Sequence, residues 1–120
     1  MPERIGPLGE KAVAAILERQ GWNIMATNYR CRQGEVDIIA REGEVIVFVE
    51  VKTRRDYAGA APAEAVDVRK QARIVAAAQC YLAEGEFGEV DCRFDVVEVW
   101  WQPNARLRIR LHRAAFDAQE

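Results

Sequence analysis

No apolar run in this chain approaches the roughly 20 residues that a membrane-spanning helix needs. The opening residues, Met1-Pro2-Glu3-Arg4, lack the apolar core of a secretory signal, so a cytoplasmic protein with no membrane partner is expected. Cysteine is scarce. Cys31, Cys80 and Cys92 form no C-x-x-C pair, and an odd count of scattered thiols argues against a disulfide framework or a zinc site. Cys80 and Cys92 read instead as buried small hydrophobes. Histidine is scarcer still: His112 stands alone near the C-terminus, and no catalytic role is assigned to it. Strong charge of one sign is also missing. A formal net charge of -2 excludes a polybasic coat for nucleic acid, but not a nucleic-acid enzyme, whose clustered carboxylates offset basic residues placed elsewhere.

What is present is a globular composition. The 120 residues are 50% hydrophobic and 30% charged, which fits one domain over residues 1–120 and leaves little room for a second. Leu8 to Gln20 carries Ala12, Val13, Ile16 and Leu17 at helical spacing, with Gly21 where helices often stop. Trp22 to Tyr29 is mixed and reads as a short strand ending in Asn28. Glu35 to Ala40 is a strand by its β-branched content, Arg41 to Glu44 a turn, and Val45 to Lys52 the clearest strand of all. Arg54 to Pro62, with Gly59 and Pro62, is expected to be a mobile connection, as are the short termini. Ala63 to Ala83 has a helical stripe through Val66, Lys70, Ile74, Ala77 and Tyr81, and the glycines between Glu84 and Glu89 break it. Cys92 to Trp101 is a further strand, Pro103-Asn104 a turn, and Leu107, Ile109 and Leu111 alternate with Arg106, Arg108, Arg110 and His112 as in a strand with one solvated face. Helix, strands, helix, strands predicts an α/β fold, a central mixed sheet flanked by helices.

The two strongest strands read as a hairpin. With Ala40 opposite Val45, Asp37 faces Phe48 and Glu35 faces Glu50. Period-two alternation then puts Glu35, Asp37, Glu50 and Lys52 on one face, and Val36, Ile38, Val47, Val49 and Val51 on the other. A one-residue slip would separate Asp37 from Glu50. Asp37 lies diagonally from Glu50, close enough for both carboxylates to reach one ion, and Lys52 stands about 7 Å further along the strand. A hard divalent cation, Mg²⁺ or alternatively Mn²⁺, takes oxygen ligands of this kind, often one or two carboxylates plus water and substrate phosphate. A lysine beside it can position or help deprotonate water, or neutralise the phosphate in flight. On spacing alone Glu50 and Lys52 read equally well as solvated residues of an exposed strand. The apolar strand around them favours a central one.

These residues carry a resemblance. Asp37 followed by Glu50-Val51-Lys52 resembles the D-(spacer)-E-x-K signature of restriction-endonuclease-like nucleases. Over nearly the whole chain, Gly9-Glu10, Asn28-Tyr29-Arg30, Gly34 to Ala40, Phe48 to Arg54, Lys70 and Arg93-Phe94-Asp95 resemble the bacterial YraN-type predicted endonuclease family, related to Holliday-junction resolvases. The resemblance implies a restriction-endonuclease-like fold, Asp37 and Glu50 as metal ligands, Lys52 as the catalytic lysine, and Glu10 as an acid brought to the same site from the first helix. Val36 stands where many members of the wider superfamily have proline, as is usual for the closer family.

Other candidates are weaker. Glu10 otherwise reads as a boundary residue of its helix, and Glu35 as a residue at the strand entrance or a further ligand. Arg54, Arg55, Arg69, Lys70 and Arg73 suit phosphate contacts, which give affinity without sequence information. Lys70 leads them because it shares the inward stripe with Val66 and Ile74. Arg106, Arg108 and Arg110 read as an ordinary exposed face, and Trp100 and Trp101 as filling a core edge or an interface. The expected function is a metal-dependent nuclease acting on DNA, with branched or single-stranded forms as candidate substrates. A non-catalytic nucleic-acid-binding or protein-interaction module on the same fold is the alternative. The modest net charge predicts weak binding, to which a homodimer or a partner would add surface.

Overall fold

A computed structural model describes residues 2–54, 66–101 and 106–118. The elements run α1 (Pro2–Arg19), β1 (Asn23–Cys31), β2 (Gly34–Glu42), β3 (Val45–Arg54), α2 (Val68–Gly85), β4 (Cys92–Trp101) and β5 (Leu107–Phe116). The five strands form one sheet in the order β1-β2-β3-β4-β5. Only β3 and β4 are parallel, so the sheet is mixed, and α2 lies on the connection between them. This is the expected α/β architecture, consistent with a restriction-endonuclease-like fold. Residues 55–62 of the expected mobile connection, residues 63–65 of the expected second helix, the Pro103-Asn104 turn and Arg55 lie outside the described residues, as does the Trp101 side chain. No helix among the described residues is long and apolar enough to cross a membrane.

Each face of the sheet packs under one helix. On one side Val13 and Leu17 of α1 cover Ile38, Ala40, Val47 and Val49. On the other, Ile74, Ala77 and Ala78 of α2 cover Ile39, Ile46, Phe48 and Phe94. Strands buried on both faces explain why β3 reads as a continuous apolar run and not as an alternation. Asp67 caps α2, its Oδ1 accepting from the Lys70 backbone N–H at 2.9 Å. The two expected buried thiols differ from expectation: Cys80 is half-buried and Cys92 is exposed at the entrance to β4.

The hairpin register differs from the expected one. Glu42 pairs with Val45 and Ile38 with Val49, so β2 runs two residues further and Gly43-Glu44 makes the turn. Gly43 has φ +60, the left-handed value that the first residue of a tight two-residue hairpin turn needs. Glu42 is held there by Arg93 at 2.7 Å and Arg113 at 2.8 Å. Arg93 also grips the fully buried Asp95 with two hydrogen bonds of 2.9 Å, and both guanidiniums lie over the Trp22 ring. Because the shift is two residues, the faces survive it. The one exception is Val36, expected beside Ile38 but packed with Ile39 and Phe48 on the α2 side. The alternation of β2 therefore breaks at Asp37.

Gly34 opens β2 directly beneath α2. A β-carbon there would run into the backbone carbonyl of Arg73, which cannot yield as a side-chain tip can. Gly34→Ala should therefore destabilise the protein by about 2 kcal/mol or more, read as a lower denaturant midpoint at unchanged slope. An unchanged midpoint would mean that α2 does not seat on β2 this closely.

Candidate active site

The break at Asp37 makes the site. The β2–β3 ladder ends at Ile38 and Val49. Beyond it the Asp37 Oδ2 accepts a hydrogen bond of 2.8 Å from the Val51 backbone N–H, where a strand partner would otherwise supply an acceptor. Continued by one step, the register sets Asp37 across from Glu50. The expected Glu35–Glu50 opposition is thereby corrected, because the turn sits two residues later. On the other side Asn28, between the paired positions Thr27 and Tyr29 of β1, takes φ +53. Asparagine tolerates that conformation better than most residues.

Three carboxylates meet in this gap. Asp37 lies next to both Glu10 of α1 and Glu50 of β3, and Asn28 lies next to Glu10. Burial, then the Asp37 charge and hydrogen bond, push the Glu10 carboxyl up to about 7, with the charge of Glu35 adding to the rise and Asn28 opposing it. Glu50, only 6% exposed, is also pushed up to about 7, by burial first and then by the Asp37 charge, while the Lys70 ammonium pulls the other way. Lys70 reaches Glu50 from α2 at 3.5 Å. Gly9 lets α1 come near β3, since a β-carbon there would stand 2.7 Å from the Thr53 hydroxyl. A groove of about 270 Å³ lined by Glu10, Ala14, Thr27 and Asn28 opens beside Glu10.

The remaining candidates are placed as follows. Lys52 is half-buried on the Glu50 face, with no ion pair among the described residues. Glu35 is at the rim, 3.7 Å from Arg30. Arg54 does not point into open solvent: its Nε donates to Glu98 at 2.9 Å. Arg69 and Arg73 are exposed on α2. Two residues gain weight from the structure. Asn28 lies next to Glu10, whereas in the sequence it marked the expected end of the first strand and part of the family resemblance. Glu98 is fully buried and holds both Arg54 and His112, the latter at 2.8 Å. Burial alone would raise the Glu98 carboxyl, but the hydrogen bonds from His112 and Arg54 outweigh it and hold the group below its ordinary value.

Among the described residues no three or more carboxylate, imidazole or thiol side chains form a ready metal cage. The donor set still suits a hard ion, because Mg²⁺ commonly takes only one or two protein carboxylates and fills its shell with water and phosphate. Asp37 and Glu50 are adjacent oxygen donors, and their mutual repulsion is what a cation would relieve.

The comparisons with known proteins agree on one family. The model of the "Uncharacterised protein family UPF0102" matches residues 9–99, a span that holds Glu10, Asp37, Glu50, Lys52 and Lys70. A UPF0102 protein of Symbiobacterium thermophilum is 49% identical over 98% of this chain and 100% of its own length. One of Desulforapulum autotrophicum is 46% identical over 95% and 93%, and one of Moorella thermoacetica 45% identical over 87% of each. The resemblance read from the motifs is borne out, and the chain belongs to the UPF0102 family, the YraN family.

Proposed function

We propose that this protein is a cytoplasmic, metal-dependent nuclease that hydrolyses phosphodiester bonds of DNA, with branched or single-stranded DNA as its substrate class. The observation that carries the reading is the contact of Asp37 with both Glu10 and Glu50, inside a gap that the sheet opens at this point. Carboxyls packed this closely, with raised pKa values, are a recurrent mark of a metal or catalytic site. Asp37 and Glu50 would bind Mg²⁺ or Mn²⁺, which when bound supplies positive charge to the phosphate oxygens and acidifies water.

The chain's own residues do the rest. Lys52 follows Glu50 by two residues on one strand face, so its ammonium is at hand to orient the attacking water and offset charge on the phosphate. Glu10, titrating near neutrality, can take or return a proton beside Asp37. Lys70 neutralises Glu50 while no cation is there and keeps the carboxylate in place.

The test is incubation with duplex, single-stranded, flap and four-way-junction DNA, with Mg²⁺, with Mn²⁺ and with chelator. Cleavage of at least one substrate that chelator stops is expected. Cleavage that continues in chelator removes the metal from the proposal. Binding with no cleavage of any substrate favours the module that only binds.

A further inference from the structure

The face of the sheet that carries Glu50 continues across β4 and β5. In register, Glu50, Val96 and His112 form one row, Lys52, Glu98 and Arg110 the next, and Arg54, Trp100 and Arg108 a third. Val97, Val99, Leu107, Ile109 and Leu111 pack on the α1 side, so the residues between them turn to the Glu50 side. α2 packs mainly over β2 and β1, its core reaching β3 and β4 at Ile46, Phe48, Phe94 and Val96. Beside the carboxylates there is thus a second zone, in which the cations Lys52, Arg54 and Arg110, with the His112 imidazole, stand around Glu98.

This zone is built and not merely basic. Glu98 is fully buried and fixes both Arg54, through Nε, and His112, through Nε2. The Arg54 and His112 side chains keep 29% and 31% of their surface exposed. Arg110, itself exposed, lies over the Trp100 ring at 5.8 Å from its centroid, and Trp100 is buried. Side chains held in fixed positions lose little freedom on meeting an anion, which is how an affinity surface is pre-organised. Their sign and their continuity with the carboxylate row fit a polyanion that must run onward from the site.

We propose that Lys52, Arg54, Arg110 and His112 form the track on which the phosphate backbone of the nucleic acid lies as it leads into the carboxylate site. The inference rests on the nuclease reading for its ligand, but it concerns binding, so it can be tested without cleavage. Glu98 is a positioning residue in this track: it touches no phosphate and sets where Arg54 and His112 stand.

The experiment is equilibrium binding of labelled single-stranded and branched DNA in chelator, across a range of salt, with thermal unfolding recorded for every variant. Each lost phosphate contact should flatten the slope of log affinity against log salt by about 0.7 to 0.9. Arg110→Ala should lower affinity and flatten the slope by that amount, whereas His112→Ala, which removes a fixed imidazole next to Glu98, should lower affinity about fivefold to tenfold. Arg110→Lys should keep the parent slope, and Arg19→Ala, at the far end of α1, should change nothing. If the parent binds and cleaves but Arg110→Ala keeps its slope and His112→Ala its affinity, the track is overturned and the nuclease reading stands. If the Arg110→Ala slope flattens and the His112→Ala affinity falls as stated but no substrate is cut, the track stands and the nuclease reading fails. A parent without salt-dependent binding overturns the track and leaves this face to an acidic protein partner.

Discussion

Asp37→Asn, Glu50→Gln and Lys52→Ala are each expected to cut DNA cleavage by at least about a hundredfold to a thousandfold while the protein stays folded. The three side chains do different work, so their losses should not be alike in other respects. Asn at position 37 keeps an oxygen that can accept from the Val51 N–H, so the strand gap persists while one charge of the proposed ion site is gone. Gln at position 50 removes a buried charge that is costly to hold, but leaves Lys70 without its partner. Ala at position 52 removes a half-buried ammonium that has no ion pair among the described residues, so its effect should fall on activity and hardly on stability. Cleavage assays on all three, beside circular dichroism to confirm folding, decide the matter. Activity surviving in all three would sink the site.

The metal-free protein should lose stability as the pH rises from about 4.5 through 7. Glu10 and Glu50 are pushed up to about 7 in the folded protein, from an ordinary 4.5. Between those values the folded state binds more protons than the unfolded one. The stability they contribute is therefore complete below about 4.5 and is lost as the carboxyls ionise through 7. The size should be on the order of 2 kcal/mol, since the two groups share Asp37 and titrate as a set. Glu42 works in the opposite direction: hydrogen bonds from Arg113 and Arg93, opposed by burial, bring its carboxyl down to about 2, so its contribution is lost as the pH falls from 4.5 towards 2. Mg²⁺ or Mn²⁺ should restore the neutral limb, by about 2.7 kcal/mol at a hundred times its dissociation constant. Glu50→Gln should flatten that limb and weaken the response to metal. Thermal unfolding from pH 4 to 8, with and without metal, reads both. A Glu50→Gln protein that is strongly destabilised without metal, yet responds to metal like the parent, would make Glu50 only the ion-pair partner of Lys70.

The elements were legible in the sequence because their signals are local. Val13 and Leu17 recur at helical spacing, β3 carries Val45, Ile46, Val47, Val49, Val51 and Thr53, and Gly43 marks the turn. The face shared by Glu50 and Lys52 was legible too, since a two-residue error in the turn leaves the parity of β3 intact, whereas Asp37 stands at the break in β2, between Glu50 and Glu10 of α1. What escaped depends on partners distant in the chain. Nothing near Glu42 tells that Arg93 and Arg113 will hold it inside β2 and move the turn. Nothing near Val36 tells that β2 reverses its alternation when it parts from β3. Arg110 looked like an ordinary solvated arginine, and only the order of the strands sets it on the same side of the sheet as Glu50.

The single parallel pairing of the sheet has a consequence for synthesis on the ribosome. Glu10, Asp37 and Glu50 all precede position 54, and α1 with the β1–β3 meander needs only local turns to form. The outer edge of β3 must wait, because Ile46 pairs with Cys92, 46 positions later. At ordinary elongation speeds this is a delay of about 2 to 9 seconds. During it, the most apolar strand of the protein is a bare sheet edge on the nascent chain, beside carboxylates whose lysine partner on α2 has only recently emerged. Arrival of β4 closes that edge, and β5 follows with Arg110 and His112. The half of the chain that bears the acids is thus made before the half that bears the basic face, and an interrupted product ending before β4 would expose a template for aggregation.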